Sequence, residues 1–118
     1  MTTIKVDKHA MARFQQFFSI MQYAFYELAT EKGFWESNNA GEKIALMHSE
    51  LSEALETLRK GNPESMKIPG FSHLEEELAD CVIRIMDFAG YHGLDLAEAI
   101  IAKFEHNACR PHKHGKKF

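Results

Sequence analysis

The sequence predicts an all-α protein, a four-helix bundle-like fold built as a single domain over residues 1–118. Three observations carry that expectation. Apolar residues recur at helical spacing in four stretches, and no alternating strand pattern competes with them. Each stretch opens on a residue that caps helix N-termini well: Asp7, Asn39, Ser72 or Asp95. No repeat and no linker divides the chain, whose composition of 45% hydrophobic and 26% charged residues is that of an ordinary globular domain.

The first helix is expected from just after Asp7 to about Lys32, with Gly33 as its stop. Met11, Phe14, Phe18, Met21, Phe25 and Leu28 follow a heptad-like spacing, and Phe17, Ile20 and Ala24 form a second stripe beside them. So wide an apolar face exceeds what one small core needs. Either a second subunit covers the surplus, or the helix packs on two sides within its own chain.

The second helix begins at Asn39, with Glu42 at the third position of a capping box, and runs to about Lys60 before Gly61-Asn62-Pro63. Residues 61–71 read as a loop carrying Pro63, Pro69 and Gly70. Ser72 with Glu75 opens the third helix, which ends at Gly93, and Asp95 with Glu98 opens the fourth, which fades near Cys109. The basic tail, Arg110 to Phe118, is expected to be extended.

Two acid pairs stand out. Positions three apart lie about 60° apart around a helix, so Glu50 and Glu53 share a face, as do Glu77 and Asp80. On the second helix the main apolar stripe is Ile44, Met47, Leu51, Leu55 and Leu58. Glu50 and Glu53 lie roughly opposite it, bracketed by Leu46 and Thr57. On the third helix Leu74, Leu78, Cys81, Val82, Ile85, Met86 and Ala89 make a broad apolar face. Glu77 and Asp80 run along its edge, with Arg84 on the same side. If the two helices pack antiparallel, four carboxylates converge, and such crowding requires a cation. Hard oxygen ligands suit Mg²⁺ or Mn²⁺ rather than zinc or copper. Against this stands the plain alternative that acid pairs at this spacing are solvated surface charge. His48 and His92 read as solvated, and His73 has no spaced partner for a zinc site.

A basic group ends the chain. Lys103, Asn107 and Arg110 share one helical face and suit phosphate, as the cations of the tail do. The competing reading is a solvated helix end that complements the helix dipole. The formal net charge of −3 argues against a nucleic-acid partner. Cys81, in an apolar stripe, reads as a buried free thiol. With no targeting signal and no run long enough to span a bilayer, no membrane association and a cytoplasmic location are expected.

At this point the chain resembles the MazG-like, all-α nucleoside triphosphate pyrophosphohydrolases. The family pattern of E-x-x-E followed by E-x-x-D stands here as Glu50-Leu51-Ser52-Glu53 and Glu77-Leu78-Ala79-Asp80. The surrounding segments GEKIALMHSELSEALETLRKG, EEELADCVIRIMDFAGYHGLDLAEAI and KFEHNACRPHKHGKKF resemble it too, over about residues 33 to 118. The resemblance implies a MazG-type module in which Glu50, Glu53, Glu77 and Asp80 hold Mg²⁺ and water attacks the α-phosphorus of a nucleoside triphosphate. It implies that Lys103, Asn107 and Arg110 contact phosphates across a subunit boundary, in a homodimer or homotetramer. Glu53 is the first candidate to orient or deprotonate the attacking water. Trp35, in the loop before the acid-bearing helix, either stacks on a base or plugs the space between helices. The alternative function is a non-catalytic helical dimer that binds a nucleotide or a protein.

Overall fold

The computed structural model describes residues 4–118; the first three residues of the expected domain lie outside the described residues. Four helices form: α1 (Lys8–Glu31), α2 (Ala40–Arg59), α3 (His73–His92) and α4 (Leu96–Ala108). Among the described residues there is no β-strand, only an isolated antiparallel bridge between Glu64 and Ser72. No described helix is long and apolar enough to cross a membrane.

Each helix starts where its capping residue places it. The side chains of Asp7, Asn39, Ser72 and Asp95 each accept a hydrogen bond from the backbone N–H three residues on, filling one of the otherwise orphaned donors of the first turn. The full reciprocal box forms at Ser72–Glu75. Asn39 and Asp95 supply the side-chain half of theirs. Gly93 ends α3 in the left-handed conformation, φ 64°, which glycine adopts without the steric cost a β-carbon brings.

The tail departs from the extended form expected of it. From Pro111 the tail closes into tight turns with left-handed backbone at Lys113 and His114, φ 53° and 55°, in which His114 N–H reaches Pro111 O at 2.7 Å and Lys116 N–H reaches Lys113 O at 2.9 Å. Composition had pointed to a solvated, extended segment, but these local backbone bonds satisfy the chain in a turn instead.

Helix α3 is the centre of the architecture. It packs against α2 on one side and α1 on the other, while α4 packs against α1. Helix α1 passes tightly against α3 at Gly90, where a β-carbon would lie 2.7 Å from Tyr26 Cβ. Gln22 Nε2 donates to Leu94 O at 3.0 Å beside this crossing, tying α1 to the turn that follows α3.

The core of the single chain is small. Among the described residues, Ala54, Cys81, Met86, Ala89 and Ala97 are its buried apolar members, and no large side chain is fully buried. Cys81 is the buried free thiol expected. The stripe Leu51, Leu55 and Leu58 of α2 is about half exposed, and Leu78, Val82 and Ile85 of α3 and Phe17, Ile20 and Leu28 of α1 are exposed as well. It is the opposite face of α2, with Glu50, Ala54 and Thr57, that turns inward. The radius of gyration, 16.8 Å, exceeds the value of about 13–14 Å expected for a compact chain of this length.

Candidate metal centre

The inward seams of α2 and α3 meet along the acid pairs. On α3, Glu77, Asp80, Arg84, Asp87 and Tyr91 follow one another at alternating steps of three and four, the signature of one helical face. On α2, Lys43, Leu46, Glu50 and Glu53 keep the same rhythm. Glu50, Glu53 and Glu77 each offer a carboxylate oxygen, and these atoms all lie within 4.8 Å of one another. Glu50 and Glu77 are buried; Glu53 is the exposed member. Asp80 lies outside that tight group but lines the same cavity, of about 520 Å³, which Phe25, Phe34, Trp35, Ile83 and Phe88 wall on its apolar side.

The electrostatics follow from burial and crowding. Desolvation, reinforced by the close Glu50 and Glu53 carboxyls and their charge, pushes the Glu77 carboxyl up to about 8. Burial works against ionisation of Glu50 as well. There the hydrogen bond from Arg84 Nε, 2.8 Å from Oε1, prevails together with the neighbouring Glu77 and Glu53 carboxyls and the Arg84 charge, so that this carboxyl sits below its ordinary range. Asp80 is raised by burial and by the charges of Glu50 and Glu76. Two neighbouring carboxyls driven in opposite directions are what a crowded cluster without a cation produces.

Whether the residues present fit a divalent ion is answered by Glu77. Its Oε2 is buried without a hydrogen-bond partner among the described residues, a costly state for a carboxyl oxygen. Three carboxylates from two helices, one of which carries an orphaned oxygen, form a hard donor set suited to Mg²⁺ or Mn²⁺.

Around this centre the structure adds groups that spacing alone did not single out. His73 Nε2 lies 2.8 Å from Glu77 Oε1 and 3.7 Å from Glu76 Oε2, so the histidine expected to lack a spaced partner has two acids within reach. Buried Ser65 hydrogen-bonds buried Glu76 through its hydroxyl. The same Oγ accepts the Lys67 and Ile68 N–H groups at 3.2 and 3.0 Å, which fixes the α2–α3 loop against α3 and sets Lys67 in the cavity wall. The i, i+3 and i, i+4 spacing of His73 to Glu76 and Glu77 was available as a signal; the Ser65 contact was not, because it depends on loop geometry.

Trp35 is held from three sides. Its ring stacks on Tyr91 at 3.8 Å and 6°, its Nε1 donates to Asp87 Oδ1 at 2.7 Å, and Lys43 Nζ lies 4.8 Å from its centroid. Lys43 also donates to Phe34 O. Trp35 thus joins α3 to the start of α2 and forms part of the cavity wall.

Lys103, Asn107 and Arg110 are not brought to the acids within one chain. Asn107 and Arg110 border a separate depression with Phe104 and His112, at the far end of α4. Asn107 Oδ1 is buried there without a partner among the described residues, and Arg110 Nη2 reaches His114 O at 3.4 Å. No family model matches the chain, and neither a curated protein nor a solved structure matches it.

Proposed function

We propose that the chain is a Mg²⁺-dependent nucleotide pyrophosphohydrolase of the MazG-like kind, which cleaves (deoxy)nucleoside triphosphates to monophosphate and pyrophosphate. The observation that supports this best is the group of Glu50, Glu53 and Glu77 within 4.8 Å, in a cavity whose other wall is aromatic. Acids and an apolar recess side by side suit a ligand with a charged end and a flat ring.

In this reading Glu50, Glu53 and Glu77 hold the ion, with Asp80 beside them. The ion supplies charge neutralisation at the phosphate oxygens and lowers the pKa of bound water. Glu53, the exposed member, orients or deprotonates the attacking water. Water adds to the α-phosphorus, the bond from that phosphorus to the bridging oxygen breaks, and pyrophosphate departs with the electron pair. Trp35 and its aromatic neighbours border the base. Buried Glu77 is kept in place by His73.

The assembly we propose is a homodimer or a pair of dimers. The half-exposed stripe of Leu51, Leu55 and Leu58, with the exposed rows of α1 and α3, is the surface a second copy would cover. Lys103, Asn107 and Arg110 then serve the phosphates of a neighbouring subunit's cavity. Incubation with a panel of nucleoside triphosphates and Mg²⁺, with products separated, tests the activity. Monophosphate plus pyrophosphate is expected; diphosphate plus phosphate, or no turnover, would refute it.

A further inference from the structure

The acid cavity carries its own cations. Lys32, Lys43, Lys67 and Arg84 line it beside Glu50, Glu53, Glu77, Asp80 and Asp87. One divalent ion on the acids therefore shifts this lining toward net positive charge. An anion would enter more readily when the ion is present than when it is absent.

The cations are not equivalent. Lys43 is already committed to Phe34 O and to the face of Trp35. Arg84 is held by a single bond, from Nε to Glu50 Oε1 at 2.8 Å. Its terminal amino groups, Nη1 and Nη2, have no hydrogen-bond partner among the described residues, and its side chain is one-third exposed. Arginine paired with a carboxylate commonly engages it with two donors. Here one edge of the guanidinium is anchored and the other remains open, on a helix held by packing from both sides. The charge of Arg84 also favours the ionised forms of Asp80 and Asp87, its neighbours four residues before and three after on the same seam. It therefore sits in the middle of the cavity's charge rather than at its rim.

We propose that Arg84 is a phosphate-gripping residue supplied by the same chain as the acids. Glu50 holds its Nε, and its Nη1–Nη2 fork takes the non-bridging oxygens of a linear polyphosphate, with Lys67 of the α2–α3 loop as the second cation. This deepens the pyrophosphohydrolase reading and rests on it: the ligand class is a triphosphate chain bound beside a divalent ion. The grip is distinct from Lys103, Asn107 and Arg110, which border another depression. It lets one chain bind the phosphates of its own substrate before any partner contributes.

The probe is inorganic tripolyphosphate, followed by calorimetry and by the fluorescence of Trp35, the only tryptophan in the chain and a part of the cavity wall. Tripolyphosphate is expected to bind the native protein in Mg²⁺ and to weaken about tenfold or more when the ion is removed. In Mg²⁺, Arg84→Gln should lose about tenfold or more in affinity. Arg84→Lys should fall between, because it keeps the charge and loses the fork. Mg²⁺ itself, titrated alone, should bind Arg84→Gln at least as tightly as native protein, since the competitor for Glu50 is gone. Tripolyphosphate affinity in Arg84→Gln within twofold of native, or full native affinity in Arg84→Lys, would overturn the assignment. So would loss of Mg²⁺ binding in Arg84→Gln, which would mark a merely structural role. Steady-state kinetics separate the two levels. If native protein turns over triphosphates and Arg84→Gln keeps its KM, the arginine assignment alone is lost. If native protein shows neither turnover nor Mg²⁺ binding, the underlying reading is lost and this one with it.

Discussion

His73 Nε2 lies 2.8 Å from Glu77 Oε1, one turn away along α3, while Glu77 Oε2 has no partner among the described residues. One oxygen of this carboxyl is thereby anchored and the other is unpaired, in a residue that clusters with Glu50 and Glu53.

Metal-free protein should lose stability as pH rises from about 5 to about 8. Glu77 is raised from an ordinary value of 4.5 to about 8 in the fold, first by burial and then by Glu50 and Glu53. A group raised on folding contributes stability that is complete below its unfolded pKa and is lost as pH climbs through its folded one. Thermal unfolding at several pH values checks this. A fall of several degrees across the window is expected, largely absent in Glu77→Gln and reversed by Mg²⁺. A flat profile in native protein would contradict the crowding of these carboxyls.

The Trp35–Asp87 hydrogen bond should couple the two residues energetically. Asp87 is raised by burial, and the indole N–H is the first group that opposes that shift. Trp35→Phe should cost about 1–3 kcal/mol by leaving a half-buried carboxyl without its donor. A double-mutant cycle with Asp87→Asn, measured by urea unfolding, should give a coupling of about 0.5–3 kcal/mol. Strict additivity would show that the bond contributes nothing.

Gly90 should not tolerate a methyl group. Its β-carbon would lie 2.7 Å from Tyr26 Cβ and 3.2 Å from Gln22 O, so α1 and α3 would have to separate. Gly90→Ala is expected to destabilise by about 1–3 kcal/mol despite the better helix propensity of alanine. A stabilised variant would contradict this close crossing.

Leu55→Asp should change the assembly more than the fold. Leu55 is about half exposed in the single chain, so a charge there meets water in a monomer and an apolar surface in a dimer. Sedimentation of native protein at two or four times the chain mass, and of Leu55→Asp at a lower multiple, is the expected pair of results. Native protein that sediments as a monomer would contradict the proposed interface.

Much of the fold was legible because its signals are local. Asp7, Asn39, Ser72 and Asp95 cap the helices from within a turn of themselves. Spacing pointed to a convergence of four carboxylates, of which Glu50, Glu53 and Glu77 come together and Asp80 stays outside the tight group. Which side of α2 faces inward was not legible. Periodicity finds an apolar stripe and cannot say whether its own chain or another covers it, so Leu51, Leu55 and Leu58 read as the principal face while Glu50, Ala54 and Thr57 took the interior. The polar seam from Glu77 to Tyr91 was present in the spacing, but the roles of Arg84 and Asp87 depend on what α2 and the Trp35 loop place opposite them. Ser65–Glu76 and the turn in the tail arise from backbone geometry that residue type does not specify.

Calorimetric titration of Mg²⁺ into native protein and into Glu50→Gln, Glu53→Gln and Glu77→Gln tests the carboxylate centre most directly. Saturable uptake by native protein, weakened about tenfold or more by each substitution, is the predicted result. Absence of saturable uptake in native protein, or uptake that all three variants retain undiminished, would contradict it.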